Sequence, residues 1–240
     1  MTDRVPAPGE ATTERVRGIF SNIAGQYDTF NMLSSMGIDR TWRNALVKAG
    51  EFDAGSRVLD LCAGTGDVGL TIARKAQPSE VVITDFTPEM LEIAEQKAGA
   101  YEGRSLLTFK LVDAQEIPFD DNSFDVVTVS FGVRNLPDRQ RNFAEVLRVL
   151  KPGGRYVILE FSRPSFAPWR GVYHIYLRNV IPALGGLLTH DRESFVYLND
   201  SIRRFPTQPQ LAAELRAAGF SAITWKNLSG GIAALHTAVK

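Results

Sequence analysis

Short apolar runs and longer helical stripes take turns along the chain. Residues 58–61, 80–85, 106–112, 124–130 and 155–161 are compact runs rich in Val, Ile and Leu, and each reads as a buried strand. Between them the apolar positions recur every three or four residues. Val68, Leu70, Ile72 and Ala73 follow Asp67; Met90, Leu91, Ile93 and Ala94 follow Thr87-Pro88, where Thr87 suits an N-cap and Pro88 the first helical position. Phe143, Val146, Leu147 and Leu150 share a face of a helix that should stop at a Lys151-Pro152-Gly153-Gly154 turn. This alternation predicts a doubly wound, mostly parallel α/β sheet. A helix over 208–218 and strands over 222–226 and 232–239 complete seven strands. The short link 227–231 makes a hairpin-like end, so one strand should run antiparallel.

Two regions break the alternation. Before the first strand, residues 13–50 read as helical pieces, with Val16, Ile19, Phe20 and Ile23 on one face. The stretch from Tyr27 through Phe30, Asn31 and Met36 to Trp42 interleaves aromatics with polar groups, which suits either a lid over a site or a helical cap on the core. After the fifth strand, residues 162–206 carry Trp169, Val172, Tyr173, Tyr176, Leu177 and Val180 at helical spacing. They fit either a groove for a greasy substrate or ordinary packing against the sheet.

The turn after the first strand carries the chemistry. Gly64, Gly66 and Gly69 satisfy G-x-G-x-x-G between a strand and a helix, where backbone N–H groups face a ligand. A pyrophosphate there would meet Asp60 and Asp67 in a partly dry cleft, where like charges are costly. A sulfonium and an ammonium would be welcome, so the turn suits S-adenosylmethionine better than NAD. The alternative is structural: Asp67 caps the helix and Asp60 bonds loop amides. Asp85 ends the second strand roughly twenty residues on, where such folds bind ribose hydroxyls. Asp113-Ala114 ends the third; its acid either accepts from an adenine amino group or is a solvated loop carboxylate. The first and fourth strands should flank the topological switch, bringing Ser130 through Asn135 to face Gly64.

Composition narrows the partners. Lys plus Arg and Asp plus Glu are equal at 27 each, and no long basic run appears, so nucleic-acid binding has no electrostatic support. The single cysteine, Cys62, excludes an internal disulfide framework, fits a reducing compartment, and reads as a small packing residue or a reactive thiol. His174, His190 and His236 lack the paired spacing of zinc motifs, so no metal is expected. The opening residues Met1 to Glu10 are polar, unlike a signal peptide, and no apolar run is long enough to span a bilayer.

The Gly64-Thr65-Gly66 turn, Asp85 and the block from Leu147 to Gly154 resemble class I S-adenosylmethionine methyltransferases. Tyr27-Asp28, Asn31, Leu33-Ser34, Gly37 and Arg40-Thr41-Trp42-Arg43 are similar to the N-terminal signature of the UbiE/MenG quinone C-methyltransferases. So are Ser130-Phe131-Gly132-Val133-Arg134-Asn135, Leu159-Glu160-Phe161-Ser162 and Ala234-Leu235-His236. Asp39 stands where that signature usually has histidine, and Phe195 where tyrosine is common.

The resemblance implies a Rossmann-like fold and S-adenosylmethionine-dependent C-methylation of a polyprenylated hydroquinone. The expected acceptor is demethylmenaquinol, giving menaquinol; a methoxy-polyprenyl-benzoquinol of ubiquinone synthesis is the alternative. Cofactor contacts carried over by motif fall on Thr65, Asp85, Asp113, Ala114 and Ser130, beside Gly64. Arg134 and Asn135 follow Ser130 at the switch point and are the candidates to stabilise the acceptor's phenolate; Arg134 paired with Asp138 or Glu160 is the structural alternative. The expected organisation is one domain over 1–240: tail and helical cap to 50, cofactor-binding core 51–161, acceptor-side insert 162–206, and closing helix and strands from 207. A bacterial, cytoplasmic protein is expected, with transient peripheral contact at the inner face of the membrane; assembly with identical copies is left open.

Overall fold

The computed structural model describes residues 13–99, 101–164, 166–181 and 192–240. Seven strands lie in the order β3-β2-β1-β4-β5-β7-β6. They are β1 (Arg57–Leu61), β2 (Glu80–Asp85), β3 (Leu107–Leu111), β4 (Phe124–Ser130), β5 (Leu150–Phe161), β6 (Ser221–Leu228) and β7 (Ala233–Val239). All neighbours are parallel except β7, which inserts antiparallel between β5 and β6. The short 3-10 turn Ser229–Gly231 leaves β7 no room for a crossover, so it must reverse direction. Inner strands such as β1 are almost wholly buried, whereas β6, at the sheet edge, is mostly exposed.

Helices cover both faces, because alternate strand residues point to opposite sides. Leu59 and Leu61 join Phe124, Phe143 and Tyr156 in one core layer, under α6 (Arg139–Val149) and α9 (Gln208–Ala217). Val58 joins Leu46, Ile72 and Leu91 in the other, under α3 (Asp39–Gly50), α4 (Asp67–Ala76) and α5 (Pro88–Ala98). α1 (Thr13–Ile23) and α2 (Tyr27–Ser35) precede α3; α7 (Ala167–Ile175), a π-turn over Tyr176–Val180 and α8 (Arg192–Arg204) fill the break after β5. Phe30 of α2 packs with Tyr173, Leu177, Ile181 and Ile202, so the N-terminal cap and the insert meet in a small core of their own.

Two local expectations change. The Lys151-Pro152-Gly153-Gly154 block is the opening of β5 and not a separate turn. α6 hands directly to β5 at Leu150; Gly153, at φ +78°, donates to Lys240 O, and Lys240 N returns a bond to Gly154 O. The irregularity shows instead as a register shift against β4 between Phe124 and Val126. Thr87 does sit at the N-cap of α5 with Pro88 inside, yet its hydroxyl makes no capping bond; its N–H donates to Asp85. Residues 182–191 of the insert, including His190, lie outside the described residues.

Candidate active site

The smaller of two adjoining cavities opens where β1, β2 and β4 end. Cys62, Gly64, Asp85, Asp113, Ala114 and Ser130 line it, together with Asn135 beyond β4. Gly64 at φ +56° and Gly66 at +80° make the turn in the left-handed region, and a Cβ on Gly66 would meet the Ala94 methyl at 2.8 Å. Gly69 serves close helix–strand packing: a Cβ there would strike Ile83 at 2.6 Å. Asp85 accepts from Gly64 N (2.8 Å) and Thr87 N (2.9 Å), while burial pushes its pKa above the usual carboxylate value. Asp113 accepts from Gln115 N at 2.8 Å, and the Ala114 carbonyl takes Asn142 Nδ2 at 2.7 Å. The Ser130 hydroxyl is buried with no partner, a polar group that bound ligand would satisfy.

Thr65 is placed differently. It is buried outside this lining, its hydroxyl donating to Asp28 (2.6 Å) and accepting from Lys97 (2.9 Å). Asp60 and Asp67 are not ligand-facing either. Asp60 is fully buried and accepts from Gly69 N (2.9 Å) and Thr128 Oγ1 (2.6 Å); burial raises its pKa to about 7. Its role is structural, as the alternative had it, but its partners are an amide of α4 and a hydroxyl of β4 and not loop amides. Asp67 neither caps α4 nor faces the cavity; it pairs with Arg43 and with Lys97 at 2.8 Å. Cys62 packs under Gly132, and burial next to Asp85 and Asp113 holds its thiol protonated, which favours the packing role.

The larger cavity, about 230 Å³, lies between the cap and the insert. Its walls are mostly apolar and aromatic: Phe30, Trp42, Phe161, Trp169, Tyr176 and Ile202 among them. Tyr27, Phe20 and Phe131 line both cavities and form the partition between them. Phe131 holds a left-handed φ of +58°, which turns its ring onto Phe161 with centroids 4.5 Å apart. The cap is thus a packing layer through Phe30 and Trp42 that also walls the larger cavity.

Arg134 lines the larger cavity and Asn135 the smaller. Arg134 is buried, pairs with Glu160 Oε1 at 2.9 Å, donates to the Phe131 carbonyl and lies 5.3 Å from the centre of the Phe161 ring. Its Nε has no partner. Asn135 donates to Phe131 O and accepts from the Tyr197 hydroxyl at 3.2 Å. The Arg134–Glu160 pair foreseen as an alternative exists, and it leaves one N–H of the guanidinium unspent.

Tyr173 adds what the sequence reading missed. Its hydroxyl is buried without a partner, it lines the same cavity as Arg134, and burial raises its pKa. The helical stripe marked Tyr173 only as a packing or groove residue, because spacing cannot tell which hydroxyl lacks a partner. A second unforeseen feature ties cap to core: Lys97 bridges Asp28 (2.5 Å) and Asp67, Arg43 joins Asp67 to Asp39 (2.9 Å), and Ser35 bonds Asp39 (2.7 Å). Asp39, the departure from the histidine of the signature, is therefore a buried ion-pair partner in the cap. The side chain of Phe195 lies outside the described residues.

Comparison with known proteins shows the family. The model of the ubiE/COQ5 methyltransferase family matches residues 9–240. A ubiquinone/menaquinone biosynthesis C-methyltransferase UbiE of Dinoroseobacter shibae is 42% identical over 225 residues, covering 94% of this chain and 90% of its own. A demethylmenaquinone methyltransferase of Streptomyces avermitilis is likewise 42% identical, covering 94% of each. Among solved structures the [4+2]-cyclase SpnF superposes with a TM-score of 0.72 at 19% identity over 98% of both chains, a likeness of fold. The seven-stranded sheet is that of the class I methyltransferases, and the chain belongs to the ubiE/COQ5 methyltransferase family of S-adenosylmethionine-dependent enzymes.

Proposed function

We propose that the protein methylates a ring carbon of a polyprenylated hydroquinone, demethylmenaquinol first, with S-adenosylmethionine in the smaller cavity and the acceptor in the larger. One observation carries the reading: an apolar, aromatic cavity beside the nucleotide-type turn holds two buried, unpartnered donors, Arg134 Nε–H and Tyr173 O–H. Buried donors left unpaired are costly, so the occupant should bring oxygen acceptors on a flat, greasy frame. A hydroquinol does. The benzoquinol of ubiquinone synthesis offers the same oxygens, and the naphthoquinol is preferred as the larger aromatic for walls built of Trp42, Phe131 and Phe161.

The residues of the smaller cavity fit the cofactor: Asp85 for the ribose hydroxyls, Asp113 and Ala114 at the adenine, Ser130 for a polar group its hydroxyl now lacks, and Gly64 for close backbone approach. When bound, S-adenosylmethionine supplies an electrophilic methyl on a sulfonium. The chain does the rest by alignment, exclusion of water and charge placement. Arginine stays protonated in proteins, so Arg134 stabilises the phenolate that forms as the hydroquinol loses its proton, or holds a water that takes it. Glu160 fixes the guanidinium, and Asn135, which faces the smaller cavity, is held by the Tyr197 hydroxyl of the larger one and so links the two sides. Tyr173 donates to the acceptor from the insert side. Among the described residues no helix is long and apolar enough to cross a membrane. Mass spectrometry of quinones that accumulate when the chain is depleted tests the reading: a desmethyl naphthoquinone is expected, and unchanged quinones would refute it.

A further inference from the structure

We infer that the rim of the larger cavity, formed by the C-terminal end of α2 and the outward face of α7, is a docking surface for an anionic lipid bilayer. Large apolar side chains are exposed there on two elements that touch. Met36 is 80% exposed, Phe166 68% and Ile175 63%, with Leu33 and Val172 also exposed. The Tyr176 hydroxyl donates to the Ser34 carbonyl, and Met36, Ile38, Trp169 and Val172 all border the cavity, so the patch is continuous with its mouth. Clustered exposed apolar side chains of this kind mark an interaction site.

Charge selects the occupant. Residues 29–38 and 166–181 contain no Asp or Glu, while Arg170 and Arg178 are exposed along the apolar stripe of α7 and its π-turn. Arg203 and Arg163 lie close enough for their charges, with that of Arg170, to bear on His174 of the same helix. An apolar stripe flanked by arginines is the pattern of a helix lying in a membrane interface, its rings among acyl chains and its guanidinium groups at phosphates. The inference rests on the polyprenyl reading for its purpose, since the tail would then pass from bilayer to cavity without crossing water. The surface itself is argued from exposure and charge.

Cosedimentation with vesicles tests it, using the full chain and no acceptor. The protein should bind vesicles containing phosphatidylglycerol and bind pure phosphatidylcholine about tenfold more weakly. A Leu33→Ser/Phe166→Ser/Ile175→Ser variant, none of whose positions lines either cavity, should lose about tenfold in vesicle binding or more. Arg170→Gln/Arg178→Gln should abolish the preference for anionic lipid. Wild-type protein that ignores both vesicles, or variants that bind as well as wild type, would overturn the inference. So would a wild-type dimer, seen by sedimentation without vesicle binding, that the triple variant dissociates, since a second copy would then cover the patch. Methyl transfer to a short-tailed hydroquinol dispersed in buffer separates the two readings: transfer without vesicle binding sinks the docking surface alone, and variant-sensitive vesicle binding without transfer sinks the acceptor assignment alone.

Discussion

The two cavities share a wall and little else. The smaller is assembled from the ends of parallel strands and their following loops, and its chemistry is carboxylate, hydroxyl and backbone amide. The larger is assembled from helices far apart in sequence, from Phe30 and Trp42 to Trp169 and Ile202, and its chemistry is aromatic with a few buried donors. A nucleoside is recognised by placed hydrogen bonds, which a rigid strand end supplies. A prenylated ring, the proposed occupant, is recognised by area and by exclusion of water, which needs a roof such as the cap and insert form over the larger cavity. Tyr27, Phe20 and Phe131 line both cavities, and under the proposed assignment the methyl group would pass between the halves there.

The largest effect that would sharpen this contrast concerns a carboxylate belonging to neither cavity. With its pKa raised to about 7 when folded, from an ordinary 3.8, Asp60 binds a proton in the native state across that window that the unfolded chain does not. Its contribution to stability is therefore full below about pH 4 and is lost as pH rises through 7, by up to about 4 kcal/mol. Denaturant unfolding at pH 5 and pH 8 should show this slope in wild type and not in Asp60→Asn, whose cofactor affinity should stay near normal. A large loss of affinity in that variant would return Asp60 to the cofactor side.

Next comes Arg134→Gln, expected to lower kcat by about a hundredfold or more, as loss of an electrostatic contact of roughly 2.7–4 kcal/mol would. Binding of S-adenosylhomocysteine should change little, and raising pH should restore part of the rate by ionising the acceptor. The variant also strands Glu160, so its unfolding should be followed; a folded variant with normal kcat would make Arg134 purely structural. Asp85→Ala should instead weaken S-adenosylmethionine by about ten- to a hundredfold, a charged hydrogen bond being worth about 1.5–3 kcal/mol. Calorimetry finding equal affinity would remove Asp85 from the ribose.

On the acceptor side, Tyr176→Asp should raise KM for a long-tailed acceptor by about tenfold, a penalty of roughly 1–3 kcal/mol for a polar group on an apolar wall. A tail-less analogue should be little affected; equal loss on both would assign Tyr176 to packing, through its bond to Ser34. The smallest effect should follow Lys97→Ala. Its bridge from cap to glycine turn is partly exposed, worth no more than about 1 kcal/mol. Stopped-flow release of S-adenosylhomocysteine should quicken by about two- to fivefold; an unchanged rate would mean that the bridge does not restrain the cap over the cofactor.

Legibility followed the same divide. Seven strands, one antiparallel strand at the closing hairpin and the clustering of Gly64, Asp85, Asp113, Ala114 and Ser130 could be read because period and strand-end position are local signals, and parallel winding fixes where strand ends meet. The start of β5 could not, since Pro-Gly-Gly reads as a turn until Lys240 pairs with its backbone. The partners of Thr65 could not be read for a similar reason. Its position in the turn is local, but its hydroxyl is taken by Asp28 and Lys97, whose approach depends on the cap.

The chain by itself determined the sheet, the glycine turn and the family, because alternation and motif are written in consecutive residues. Only the tertiary structure decided that Asp60 is sealed, that Asp67 serves ion pairs, that Arg134 spends part of its guanidinium on Glu160, and that Tyr173 keeps an unpaired hydroxyl in the same cavity. The reason is physical. Whether a polar group faces ligand or scaffold depends on burial and on partners brought from distant segments, and no spacing along the chain records either.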